Sequence, residues 1–218
     1  MTKEELRHDA FVEGAGRATN WLQQNFMMVL IALVAVAVLV VGTVFFQQSR
    51  QNSQLQAGKL FFQATRLYTS GSYSEGLVVL DGLVSRYGGS AEGRAALYLS
   101  GASHLGLGEN DRAIERFQAY LDRDSDGDYA LSARIGLALA QESQGNLSAA
   151  VDAYKAIRGE LSDNDPRLVQ VALGQSRVLE TQGDYVGAIA ALTPLSDVED
   201  FTARQEIEAR LATLEALR

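Results

Sequence analysis

The chain contains no cysteine, which removes disulfides, thiolate catalysis and cysteine-ligated zinc from consideration. Proline is almost as scarce. Pro166 and Pro194 are the only two in 218 residues, and both fall where loops or helix ends are expected, so little interrupts a helical chain. Positive charge is in deficit too: 19 Lys and Arg against 27 Asp and Glu leave a net charge of −8. That balance argues against nucleic acid as a partner, because phosphate binding needs clustered cations. Histidine occurs twice, at His8 and His104, and no Ser-His-Asp order, phosphate loop or paired-histidine metal motif accompanies either. The expectation is a protein with no catalytic residues, no cofactor, no metal and no small-molecule substrate.

One long segment lacks charge altogether. Residues 26–46, FMMVLIALVAVAVLVVGTVFF, span roughly 30 Å as a helix, the thickness of a bilayer's hydrocarbon core. The run exceeds the usual signal-peptide core and no small-x-small cleavage site follows it, so a single membrane anchor is expected. Lys3, Arg7 and Arg17 precede it and Arg50, Lys59 and Arg66 follow it, a balance that leaves orientation undetermined by charge. Within residues 1–25, Phe11, Ala15, Ala18 and Leu22 recur on one helical stripe. Trp21 sits where interfacial aromatics do, so this tail is expected to be a short amphipathic helix at the membrane surface. Residues 47–56, QQSRQNSQLQ, are a polar stalk, either a continuation of the helix or a linker.

Beyond the stalk the sequence repeats itself. GSYSEGL, GENDRAI, GNLSAAV and GDYVGAI begin at Gly71, Gly108, Gly145 and Gly183, with spacings of 37, 37 and 38 residues. Such a period is the signature of stacked helix pairs. Each glycine is expected to end a first helix in a left-handed conformation and let the chain reverse. Five residues on stands Gly76, Ala113, Ala150 or Ala188, then Leu77, Ile114, Val151 or Ile189, a small residue for close approach and an apolar one for the seam. Residues 199–218 place Ile207, Leu211 and Leu214 at helical spacing, with Thr202 as candidate N-cap. This segment suits a capping helix.

The pattern resembles tetratricopeptide repeats, with the small residue of the first helix at Ala64, Gly101, Ala138 and Ser176. It departs from them in period and in the aromatic usual four residues earlier, where Leu60, Leu97, Arg134 and Ala172 stand. The expected fold is therefore all-α: one N-terminal membrane helix, four repeat pairs over residues 57–198 and a capping helix. In such arrays the first helices line a groove. The resemblance places Phe61, Tyr98, Ile135 and Leu173 there, with Tyr68 and Leu105 further along. The Lys, Arg and Asn of the family's carboxylate clamp are absent, so an apolar partner segment is expected.

Asp122, Asp124, Asp126 and Gly127 imitate the start of a calcium loop, but Ala133 occupies the position of its bidentate acid, so a solvated loop is expected. The whole layout, with the tail DAFVEGAGRATNWLQQNF, resembles the bacterial ancillary SecYEG translocon subunit family. That resemblance implies a single-pass inner-membrane protein with a cytoplasmic N-terminus and a periplasmic domain. Its implied partners are the lipid bilayer, translocon subunits, periplasmic chaperones and exported chains, and its role is that of a protein-binding adaptor. The alternative is a scaffold or assembly factor of another cell-envelope complex.

Overall fold

The computed structural model describes Trp21 and residues 24–218, and among these residues every regular element is helical. The stripe Phe11, Ala15, Ala18 and Leu22 lies outside the described residues. The chain divides into two compact units, with the boundary between Gln54 and Leu55. Helix α1 (Phe26–Thr69) includes residues 47–56. In the first unit, every described side chain from Phe26 to Phe46 is exposed. By length and composition this run is able to cross a membrane, a property that an anchor and a signal sequence share. One turn past its end, the Arg50 guanidinium lies 4.3 Å from the centre of the Phe46 ring.

The second unit is a helix-pair array. The end of α1 pairs with α2 (Tyr73–Tyr87), α3 (Ala91–Gly106) with α4 (Asn110–Leu121), α5 (Ala130–Ser143) with α6 (Leu147–Glu160), and α7 (Arg167–Thr181) with α8 (Tyr185–Leu192). A 3-10 turn, Thr193–Leu195, and α9 (Phe201–Leu217) complete it. Pro166 is the N-cap of α7 and Pro194 lies in the 3-10 turn, positions that need no helical N–H from them.

All four pairs reverse by the same device. Gly71, Gly108, Gly145 and Gly183 have φ between +74° and +79°, a conformation that costs residues with a Cβ more. In each, the glycine N–H donates to the carbonyl three residues back and the next N–H to the carbonyl five residues back. At the first turn these are Gly71 N to Tyr68 O and Ser72 N to Leu67 O, at 3.0 and 2.9 Å. This double closure satisfies carbonyls that the helix end would leave open.

The N-cap of α9 is Asp200, not Thr202. Its Oδ1 accepts from Ala203 N at 2.8 Å, so the helix starts one residue before Thr202 and places that threonine inside the first turn.

Neighbouring pairs interlock by size. Leu80 of α2 and Leu99 of α3 share one core cluster. One pair later the partners are Phe117 and Gly136, and a Cβ on Gly136 would stand 2.4 Å from Phe117 Cζ. In the next they are Tyr154 and Gly174, where an added Cβ would meet Tyr154 Cζ at 2.7 Å. Large against absent side chain replaces medium against medium, which keeps the interior close-packed.

Candidate functional site: the groove of the first helices

The residues expected in the groove fall into two environments. Tyr98, on α3, is half-buried. Its ring stacks on Tyr129 with centroids 4.8 Å apart and planes 16° from parallel, and lies 6.0 Å from Phe117 and 6.3 Å from Tyr120. Burial pushes its phenol above the usual tyrosine range; Tyr68 adds to the shift, and a hydrogen bond with Ser132 opposes it. Tyr68, from the first pair, leans on Tyr73 at 5.5 Å. Leu105 is half-buried against the cluster that contains Phe117.

Phe61, half-buried, lines a hollow of about 300 Å³ together with Arg94, Tyr120, Asp124 and Tyr129. It brings together residues of three successive pairs. Arg94 Nε donates to Asp124 Oδ2 at 2.9 Å. Asp124, a member of the calcium-like sequence, is thus held by a cation. Among the described residues no group of three or more His, Asp or Glu gathers as a metal set.

Ile135 belongs to the interior. It is 8% exposed and packs in one cluster with Leu168 and Val171 of α7. Its register position matches Tyr98, but a shorter side chain beneath the next pair's first helix stays within the core. Leu173, half-buried, borders the larger cleft, of about 1070 Å³, between the start of α7 and the start of α9. Val169, Leu195 and Val198 line it with Leu173, and Asp163, Asp197 and Glu206 rim it.

Residues that the sequence pattern did not single out change the character of the groove's second half. Glu142 and Glu180 stand one and two repeats beyond Leu105. Arg177 grips Glu142 with Nε at 2.5 Å and Nη2 at 2.8 Å, and Tyr154 Oη donates to Oε2 at 3.3 Å. Burial, then the Glu142 charge, pushes the Tyr154 phenol up to about 12. Glu180 accepts a hydrogen bond from Arg210 of α9. At the register position of Leu105, pairs three and four thus carry internally paired ions in place of an apolar side chain. The register of 37 and then 38 residues would have revealed Glu142 and Glu180; nothing local in the sequence reveals their arginine partners, which come from different helices.

His104 is 6% exposed, with Nδ1 2.7 Å from Glu109 Oε2. That hydrogen bond foremost, together with Arg112, holds the Glu109 carboxyl below its usual range. The pair bridges the end of α3 to the start of α4 across the Gly108 turn.

Residues 19–161 match the tetratricopeptide repeat-like domain family. Comparison with curated proteins yields no significant match. Among solved structures, the chain is similar to a variant of the putative kinesin light chain of Podosopora anserina, built of nearly identical TPR-like repeats. Identity is 15%, with 76% of this chain and 86% of that chain covered at a TM-score of 0.64. It is similar also to a thermophilic TPR protein of Thermus thermophilus, with 22% identity, coverages of 73% and 81%, and a TM-score of 0.53. A third similar structure is MamA MSR-1 C2, at 14% identity, coverages of 75% and 97%, and a TM-score of 0.52.

Proposed function

The chain belongs to the tetratricopeptide repeat-like domain family, and from that premise we propose that it is a membrane-tethered adaptor that holds segments of other proteins. In this reading residues 26–46 anchor it in a bacterial inner membrane, with the N-terminus cytoplasmic and the repeats periplasmic. It then links the secretion translocon to periplasmic chaperones and to chains emerging from export. The observation that carries the proposal is the union, in one chain, of an uncharged 21-residue apolar run whose described side chains are all exposed and a four-pair repeat array. Tethering keeps a weak groove effective, because it raises the local concentration of binder near its source of partners.

The partner-binding surface proposed here is the first half of the groove, Phe61, Tyr68, Tyr98 and Leu105, with Leu173 at the far cleft. Aromatic and aliphatic side chains there suit an amphipathic or unfolded segment. A second reading, a docking scaffold or assembly factor of another envelope complex, draws on the ion pairs Glu142–Arg177 and Glu180–Arg210, which stand at the groove position of Leu105 in pairs three and four.

Crosslinking in membranes, followed by mass spectrometry, compares the full chain with one lacking residues 1–46 and with full-length Phe61→Arg. The adaptor reading expects translocon subunits and extracytoplasmic chaperones only with the anchored form, and fewer of them with Phe61→Arg. One envelope complex captured equally by all three overturns it in favour of the scaffold.

A further inference from the structure

In pairs two to four, three positions of the first helix pack against the second helix of the pair before, and all are buried. They are Ala96, Leu99 and Ser103 in α3; Ala133, Gly136 and Ala140 in α5; and Val171, Gly174 and Val178 in α7. In α1 the same positions hold Lys59, Phe62 and Arg66, and all three are exposed, Phe62 at 66%. Beside that ring lies a hollow of about 590 Å³ lined by Gln63, Arg66, Leu67 and Thr69. A polar end face is what a repeat array needs for solubility, and the two cations fit that need. Phe62 does not, and neither does Leu55, seven residues earlier on the same stripe and 63% exposed.

We propose that this face receives α9 of a second copy of this chain. The outward side of α9 carries the inverse chemistry at the same spacing. Glu208 and Glu215 are seven residues apart, as Lys59 and Arg66 are, with Ala212 between them, and all three are exposed. At 1.5 Å per residue each charged pair spans about 10.5 Å of helix axis. Laid antiparallel, Lys59 meets Glu215, Phe62 meets Ala212 and Arg66 meets Glu208, three opposed pairs in a single register. Large against small is also how Phe117 seats on Gly136 and Tyr154 on Gly174. The α1 face has no acid of its own chain nearby in sequence, since none occurs from Gly14 to Ser74. The contact is heterologous: it joins copies head to tail and propagates until a ring closes.

The absence of cysteine makes the test clean, because every thiol is an introduced one. Detergent-solubilised full-length Phe62→Cys and Ala212→Cys, carrying different tags, are mixed and oxidised. The expected product is a mixed disulfide dimer, well above the yield of Phe62→Cys with Asp152→Cys, an exposed site on α6. Lys59→Glu with Arg66→Glu removes the mixed dimer, and Glu208→Lys with Glu215→Lys in the other copy restores it, while circular dichroism confirms that every variant is folded. Mixed dimer at the Asp152→Cys yield overturns the proposal. So do Phe62→Cys copies that crosslink to one another instead, and a charge exchange that restores nothing.

Discussion

At corresponding positions α5 carries Ala133, Gly136 and Ala140, whereas α1 carries Lys59, Phe62 and Arg66. The backbone setting repeats, yet one face is sealed under the preceding pair and the other meets solvent. The difference shows that the repeat specifies a helix-pair geometry and leaves the neighbour to dictate side-chain size. Where a bulky ring arrives from the pair before, the receiving position must vanish to a glycine. Where no such ring arrives among the described residues, a full aromatic stands.

The largest test of that contrast removes the arriving ring. Phe117 is 1% exposed and sits between Gly101 and Gly136, so Phe117→Ala leaves a cavity on both sides. A loss of about 3–5 kcal/mol is expected in denaturant unfolding. Filling the socket comes next: Gly136→Ala drives a methyl into a ring that has nowhere to go and is expected to cost about 1–3 kcal/mol. Gly108→Ala, with open space around it but φ of +74°, probes strain alone and should lower stability by about 1–2 kcal/mol. Smallest is Phe62→Ala, which in the dilute, dissociated chain should shift unfolding by no more than about 0.5 kcal/mol. A loss that grows with protein concentration would mean that a second copy covers the face.

A pH titration sharpens the same contrast at Tyr154, the other ring seated on a glycine. Its pKa is raised from the usual 10.0 to about 12 by burial and by Glu142. The folded chain therefore keeps the phenolic proton longer than the unfolded chain does. The resulting stability is fully present below pH 10 and is lost as pH rises through 12. Tyr154→Phe should flatten unfolding free energy across that window, and ultraviolet absorbance of tyrosinate should show one residue ionising late.

The helix-pair architecture was legible because its signals are local: a glycine every 37 or 38 residues, followed by a small residue and an aliphatic one. The capping helix was legible too, though its start was misplaced. Thr202 and Asp200 are both cap-forming residue types, and the cap is Asp200 because its Oδ1 takes the N–H of Ala203, three residues on. The groove was legible only as a register. Ile135 shares its position with Tyr98 but lies under α7, and depth below a neighbouring helix leaves no mark in the spacing. Gly136 and Gly174 escaped notice for a related reason: their role is set by Phe117 and Tyr154, about twenty residues away in sequence.

The paired sizes also make the repeats non-interchangeable. Deleting one 37-residue unit to bring Leu80 against Gly136 would open a void, and setting Tyr154 against Leu99 would force a collision. The Leu80–Leu99 joint therefore cannot be exchanged with either ring-on-glycine joint. During folding or after duplication, slippage that mixes the two kinds of joint is penalised at the joint itself.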